Sequence, residues 1–89
     1  MDKKKINNIK DAVRNEIIKL SAQCGSNASL LLDDEIIPQK GYLDSASIIE
    51  LVLWIENYFK IRINDEDINI DNLGSVNSIT NFVVVNKKD

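Results

Sequence analysis

The sequence predicts an all-α fold, a small bundle of three to four helices with a long loop between the first two helices. Apolar residues recur at steps of three and four in three separate segments, which is the spacing of one helix face. The chain has 89 residues, 44% of them hydrophobic, enough for one core but too few for a deep active site with a separate substrate domain. We therefore expect residues 1–89 to form a single domain with one function.

The first helix is predicted from about residue 3 to residue 22. Its apolar positions follow helical spacing at Ile6, Ile9, Val13, Ile17 and Leu20. The turn-forming run Gly25-Ser26-Asn27 follows the helix. A first amphipathic helix that buries this one face is the expected result.

A long connection, from Ser21 to Leu43, follows the first helix and carries Pro38 and Gly41 near its end. Connections beyond roughly 12–15 residues are uncommon in compact domains unless they have a role. This one contains two apolar clusters, Leu30-Leu31-Leu32 and Ile36-Ile37. We expect both clusters to cover the inner faces of the helices, because exposing them would create a sizeable apolar patch.

The second helix is predicted from about residue 45 to residue 59. Its core stripe is expected at Ile48, Leu51, Val52, Ile55, Tyr58 and Phe59. A capping box formed by Ser47 and Glu50 would start the helix two residues later. We favour the earlier start, because Asp44 and Ser45 are themselves good capping residues.

The rest of the chain is predicted as a short extended link, a single helical turn, a loop and a last helix. The link carries Ile61 and Ile63, and the turn and loop are rich in Asn and Asp up to Leu73. The last helix begins near Ser75 and directs four apolar residues inward: Val76, Ile79, Phe82 and Val83.

Histidine is absent, which removes serine and cysteine triads, histidine acid–base catalysis and most transition-metal sites. Cys24 has no second cysteine with which to form an internal disulfide, so we expect it to serve in packing. Acidic and amide residues alternate like the opening of a calcium loop at Asp65, Asp67, Asn69 and Asp71. Ile70 and Val76, however, stand where such a loop needs glycine and a bidentate glutamate. We expect no enzymatic activity, no catalytic residues and no metal.

The charge is unevenly distributed. Residues 33–71 contain ten acidic residues against Lys40, Lys60 and Arg62, a net charge of −7 for that segment. An acidic middle argues against nucleic acid and favours basic protein partners, although a merely solvated acidic surface is an equal alternative. No apolar run approaches the roughly 20 residues of a membrane span, and the basic N-terminal stretch lacks a signal-type apolar core. We expect a cytoplasmic monomer that does not bind membranes.

Two stretches resemble the acyl carrier proteins, the phosphopantetheine-binding carrier family. "GYLDSASIIELVLWIENYFKIRI" is similar to the family pattern of Gly, two residues, Asp-Ser-Leu and an apolar helix, and "DNLGSVNSITNFV" is similar to its run into the final helix. The resemblance implies that 4′-phosphopantetheine is attached to Ser45, with Asp44 as the adjacent motif residue. A separate phosphopantetheinyl transferase would supply the base, the metal and coenzyme A. Ala46 departs from the pattern, because leucine is usual there.

The implied function is that of a discrete carrier protein of the acyl-carrier fold, which holds an acyl, aminoacyl or peptidyl group as a thioester and presents it to enzymes. Its partners would be the transferase, a loading ligase and downstream synthase or tailoring enzymes, as in secondary metabolism. Ala46 and the weakly charged second helix favour an aminoacyl or peptidyl group. The alternative is a carrier-like helical interaction module that is never modified.

Partner enzymes are expected to meet the side of the second helix that faces away from its core stripe. At about 100° per residue, that side carries Ala46, Glu50, Leu53 and Asn57. Trp54 lies at its margin, with burial against the first loop as the alternative. Because only Glu50 is charged there, docking is predicted to depend on Leu53 and Trp54 more than on charge.

Overall fold

Three long helices and one short helix form within residues 3–37 and 41–87, the part of the chain that the computed structural model describes. They are α1 (Lys3–Gln23), α2 (Ser45–Phe59), α3 (Ile70–Leu73) and α4 (Val76–Asn86), with a 3₁₀ turn at Asp65–Asp67. No β-strand occurs in these described ranges. The prediction of an all-α fold is confirmed.

The core forms where α1 packs against both α2 and α4. The helices contribute residues at the predicted spacing, and the fully buried ones are Val13, Ile17, Ile55, Val76, Ile79 and Val83. Burying an aliphatic side chain of this size contributes about 1.5–3 kcal/mol, so this cluster is the main source of stability. None of the helices in the described ranges combines the length and apolar character that crossing a membrane requires.

Helix α2 begins at Ser45, as predicted, and Asp44 is its N-cap. It ends at Phe59, after which Lys60 adopts a left-handed conformation with φ of 57° and donates its backbone N–H to the Glu56 carbonyl. This ending satisfies one of the carbonyl groups that every helix leaves unpaired. The later start through a capping box at Ser47 does not occur.

The buried face of α2 is centred on residues spaced four apart, Ser47, Leu51, Ile55 and Phe59. The prediction that Tyr58 belongs to the core stripe is wrong, because its side chain is exposed. Tyr58 lies about 60° around the helix from Ile55. There it stacks on Trp54 with 4.8 Å between ring centroids, so its ring contacts a neighbour on its own helix and otherwise faces solvent.

The connection after α1 is only partly buried. Leu31 and Ile37 are buried, but Leu30 and Leu32 are 86% and 66% exposed, so the prediction that they cover the helices is wrong for these two. The side chains of successive residues outside a helix point in different directions, and the burial of Leu31 turns its neighbours outward. Residues 38–40, which include Pro38, lie outside the described residues.

The segment before α4 contains more helix than the sequence indicated. The 3₁₀ turn matches the predicted helical turn, whereas α3 lies where a loop was expected. Asn69 caps α3 by accepting the backbone N–H of Asn72 at 2.9 Å. Gly74 ends it, and any side chain there would collide with the carbonyl of Ile70. These caps stabilise a helix too short to show apolar periodicity.

Candidate functional site

Ser45 is the first residue of α2, and its side chain is exposed. Its hydroxyl makes no hydrogen bond to any other residue in the ranges 3–37 and 41–87. Ser21, Ser47 and Ser75 are buried, whereas Ser29, in the first loop, is exposed like Ser45 but does not lie at the start of a helix. Ser45 therefore presents an accessible hydroxyl at the N-terminal end of a long helix.

Asp44 holds the start of the helix. Its Oδ1 accepts the backbone N–H of Ser47 at 2.8 Å. Hydrogen bonds lower the pKa of the Asp44 carboxyl below its ordinary value of 3.8, chiefly the one from the Ser47 backbone N–H, then those from the Ser47 hydroxyl and the Cys24 thiol. The carboxylate is therefore ionised at neutral pH, and its Oδ1 is engaged in the cap.

Ser47 differs from Ser45 although it lies only two residues away. It is 7% exposed, and its Oγ lies 2.8 Å from the Sγ of Cys24. Cys24 is half-buried, so the expected packing role is accompanied by a polar contact. This contact joins the chain just after α1 to the first turn of α2, and it fixes the position from which Ser45 projects.

The residues before Ser45 hold the chain in a defined path. Gly41 has φ of +69°, a conformation that favours glycine. Leu43 is buried in the core, while Asp44 is exposed. A buried anchor on one side and a helix cap on the other restrict the backbone around Ser45.

The predicted outer face of α2 is exposed in the structure. Ala46, Glu50, Leu53 and Asn57 are all accessible, and Leu53 is 52% exposed. Glu56, at its edge, is half-buried and its carboxylate accepts the backbone N–H of Ile63 at 2.8 Å. Glu50 is accordingly the charged residue of this face.

Ile49 is a member of this face that the sequence interpretation missed. It is 61% exposed and lies four residues after Ser45 and four before Leu53. Side chains four apart on a helix are neighbours along one ridge. Counting in steps of four from Ser45 would have identified Ile49, whereas counting from the core stripe placed it at neither face.

Trp54 is half-buried and packs against aromatic rings of its own helix. Its ring stacks on Tyr58 and makes an edge contact with Phe59 at 5.5 Å between centroids. Part of the indole remains accessible. Leu53 and Ile49 therefore offer more free apolar surface than Trp54 does.

An apolar pocket of about 170 Å³ opens between α2 and α3. Residues that line it include Ile37, Leu43, Ile48, Val52, Ile68 and Ile70. Leu43 lies two residues before Ser45, so the pocket begins close to the exposed hydroxyl. Its walls offer little but aliphatic carbon, which suits an apolar ligand.

Chemically, this site offers a hydroxyl group that can accept a transferred group. Ser45 offers a hydroxyl, Asp44 is occupied by the cap, and no histidine exists in the chain. Across the described residues, no group of three or more histidine, cysteine or acidic side chains is placed to hold a metal ion. The chain therefore offers Ser45 no histidine as a base.

No model of a known protein family matches this sequence, and no curated protein is similar enough to be a recognisable relative. Its function must be inferred from the residues of the motif and from their placement.

Proposed function

We infer that this chain is a discrete carrier protein, on which Ser45 receives a 4′-phosphopantetheine arm. The observation that carries this proposal is the exposed, unbonded Ser45 hydroxyl at the first residue of α2, next to the Asp44 cap. A cap alone would explain Asp44, but it leaves Ser45 without a structural role. The carrier-like sequence around Ser45 supports the same proposal.

The residues around Ser45 suit an attached phosphate. The phosphate would lie at the N-terminus of a helix of 15 residues, where free backbone N–H groups and the helix dipole favour negative charge. Exposure of Ser45 leaves room for an enzyme to approach. The burial of Leu43 and the cap at Asp44 keep the acceptor in one position, which favours transfer by lowering the entropic cost of alignment.

The attachment reaction is a phosphoryl-type transfer from coenzyme A. The Ser45 oxygen forms a bond to the phosphorus that bears pantetheine, and the pyrophosphate bond to that phosphorus breaks. Adenosine 3′,5′-bisphosphate leaves, and the hydroxyl proton passes to a base of the transferase. When bound, the arm supplies a thiol that holds an acyl group as a thioester, and the chain's own residues orient the arm and meet the partner enzymes.

Incubation with a broad-specificity phosphopantetheinyl transferase and coenzyme A tests the proposal. Intact mass and a peptide map should show one added arm on the peptide that contains Ser45. Ser45→Ala should abolish the addition, whereas Ser47→Ala, the matched serine two residues away, should still accept one arm because Ser47 is buried. Circular dichroism must show that both variants are folded.

Repeated failure of the folded wild-type chain with several transferases would contradict the proposal and favour an unmodified helical interaction module. An arm found on Ser47→Ala and Ser45→Ala alike would place the acceptor elsewhere and would also reject the assignment.

The pocket beside Ser45 supports a short apolar acyl group as the cargo. Its lining is almost entirely aliphatic, and its volume of about 170 Å³ is close to that of a 150 Å³ protein cavity that holds benzene. A chain of roughly six carbons fits this space. A charged aminoacyl group would lose its hydration there without a partner, so this observation weighs against the aminoacyl preference drawn from Ala46.

A series of acyl arms of increasing length tests the cargo. We expect the melting temperature of the loaded protein to rise with chain length up to about six carbons and then to level off, because further carbons have no room. Val52→Phe, which narrows the pocket, should remove the rise. Equal melting temperatures for all chain lengths would show that the cargo stays in solvent.

A further inference from the structure

The start of α2 is held by contacts of two kinds. Within its own segment, Asp44 Oδ1 accepts the Ser47 N–H at 2.8 Å, and the Asp44 carbonyl accepts the Ile48 N–H at 3.0 Å. These bonds move with the segment, so they give it a shape but do not place it in the molecule. The contact between the Ser47 hydroxyl and the Cys24 thiol, 2.8 Å from Oγ to Sγ, joins the same turn to a residue 23 positions away.

Cys24 is itself held by the turn that ends α1. Its backbone N–H donates to the carbonyls of Leu20 and Ser21 at 3.2 and 3.0 Å. Gly25 follows with φ of +78°, a conformation that glycine adopts readily at a helix end, and the Ser26 N–H returns to the Ser21 carbonyl at 2.8 Å. The thiol therefore projects from a hydrogen-bonded helix end and can fix the position of the group that it contacts.

Stability alone does not account for a polar contact at this point. Ser47 is 7% exposed, and the other buried residues of α2 are Leu51, Ile55 and Phe59, which are all apolar. A buried hydroxyl that loses its partner is destabilising, whereas replacing both partners by apolar groups of similar shape is nearly neutral. What the hydroxyl and the thiol add is direction, because a hydrogen bond fixes a distance and an angle and apolar packing does not.

The contact lies in the same helical turn as Ser45. The two serines are two residues apart, which corresponds to about 3 Å along the helix axis, and both the Ser47 hydroxyl and the Cys24 thiol also hydrogen-bond the carboxylate of Asp44, directly before Ser45. The first turn of a helix has backbone N–H groups without partners inside the helix, so its position depends on such contacts. A displacement of this turn by about 1 Å would carry the Ser45 hydroxyl with it, and misplacement on that scale can slow an enzymatic reaction about a hundredfold.

We propose that Cys24 and Ser47 are positioning residues for group transfer to Ser45, because their contact fixes the first turn of α2 against the end of α1. They act through the backbone of that turn and not on the reacting atoms. The contact aligns the Ser45 hydroxyl for attack, so its loss should slow the transfer step and leave binding to the transferase unchanged. This inference rests on the proposed function, since it assumes that Ser45 is the acceptor.

Single-turnover modification tests this proposal, with a broad-specificity phosphopantetheinyl transferase in excess over the full chain and with saturating coenzyme A. For Cys24→Ala and for Ser47→Ala, we expect the rate constant at saturating transferase to fall about tenfold, while the transferase concentration at half-saturation stays within about twofold of wild type. Both variants should still reach one arm at the end point, because the acceptor is intact. Cys24→Ser keeps a group that donates and accepts a hydrogen bond, so its rate constant should stay within about threefold of wild type.

The double variant Cys24→Ala/Ser47→Ala separates positioning from stability. Because it leaves neither partner unpaired, its melting temperature should lie within about 4 °C of wild type. Its rate constant should nevertheless be as low as that of either single variant, since both residues act through one contact. Ser75→Ala is the matched control: Ser75 is 4% exposed and caps α4 by accepting the Ser78 N–H at 3.1 Å. This variant should lower the melting temperature and leave the rate constant of transfer unchanged.

Rate constants within about twofold of wild type for both single variants overturn the positioning role and leave the acceptor assignment intact. A loss of rate in Ser75→Ala equal to that in Cys24→Ala also overturns the role, because the rate would then follow stability. If a single variant fails to fold, the double variant decides, and a wild-type rate constant for it rejects the role. Absence of modification in the wild-type chain overturns this proposal and the proposed function together.

Discussion

Helix α2 has two ridges of side chains that begin with the same residue type but lie in opposite environments. The inner ridge, with residues four apart, is Ser47, Leu51, Ile55 and Phe59, all buried. The outer ridge, with the same spacing, is Ser45, Ile49, Leu53 and Asn57, all exposed. Each ridge starts with a serine, and each continues with an isoleucine and a leucine. Over their first three positions, composition therefore does not distinguish the ridge that stabilises the fold from the ridge that faces solvent; only Phe59 against Asn57 does.

The difference between the ridges follows from their neighbours. The inner ridge faces the core formed with α1 and α4, and its serine contacts Cys24. The outer ridge faces solvent, where an apolar side chain adds nothing to folding stability. Apolar residues on that ridge are consequently available for contact with a partner, beside the hydroxyl that we infer to be modified.

The largest effect should come from comparing one isoleucine on each ridge. Ile55→Ala removes a fully buried side chain and should lower the free energy of unfolding by about 2–5 kcal/mol. Ile49→Ala, on the same helix, should change it by no more than about 0.5 kcal/mol. Urea unfolding of both variants measures this difference. Equal losses would show that the outer ridge is buried in solution, by self-association or by a different packing.

An intermediate effect is expected on partner binding through the outer ridge. Under the proposed function, Ile49→Ala and Leu53→Ala should each raise the KM of the loading ligase for this chain about tenfold, because each removes an apolar contact. Glu50→Gln should change it by less than about fivefold, since exposed ion pairs contribute under about 1 kcal/mol. Trp54→Ala should raise the KM as well, although its packing on Tyr58 and Phe59 requires a separate test of folding.

The prediction for the outer ridge fails in one clear case. Loading that survives the Ile49, Leu53 and Trp54 variants but collapses in Glu50→Gln would show that charge, and not apolar surface, directs docking.

The smallest effect concerns the cap shared by the two ridges. The pKa of Asp44 is lowered in the folded state, so its contribution to stability is complete above the ordinary pKa and is lost as the pH falls through the lowered value. Asp44→Asn keeps an oxygen that accepts the Ser47 N–H but does not titrate. The difference in melting temperature between wild type and this variant should be constant from pH 7 to about pH 5 and should shrink toward pH 3. A difference in melting temperature that grows as the pH falls would contradict a lowered pKa for Asp44 in the folded state.

The sequence by itself determined the three long helices, both ends of α1 to within one residue, both ends of α2 and the start of α4. Helix α2 runs from Ser45 to Phe59 as expected, because helical spacing of apolar residues and the capping chemistry of Asp44 act within a few neighbouring residues. The start of α4 after Ser75 follows from the same local rules, since the Ser75 hydroxyl accepts the backbone N–H of Ser78. Both signals are readable in one stretch of chain.

Only the tertiary structure decided which apolar residues outside the core stripe are covered. Leu30 and Leu31 are adjacent residues of the same type, yet of these two only Leu31 is buried. Arg14, which lies 17 positions away in the sequence, donates a hydrogen bond to the Leu31 carbonyl. The contact of Cys24 with Ser47 spans 23 positions, and the apolar pocket joins residues from the loop, α2 and α3. Such features depend on contacts between distant segments, whose geometry is set when the helices pack and is not encoded in the periodicity of any one segment.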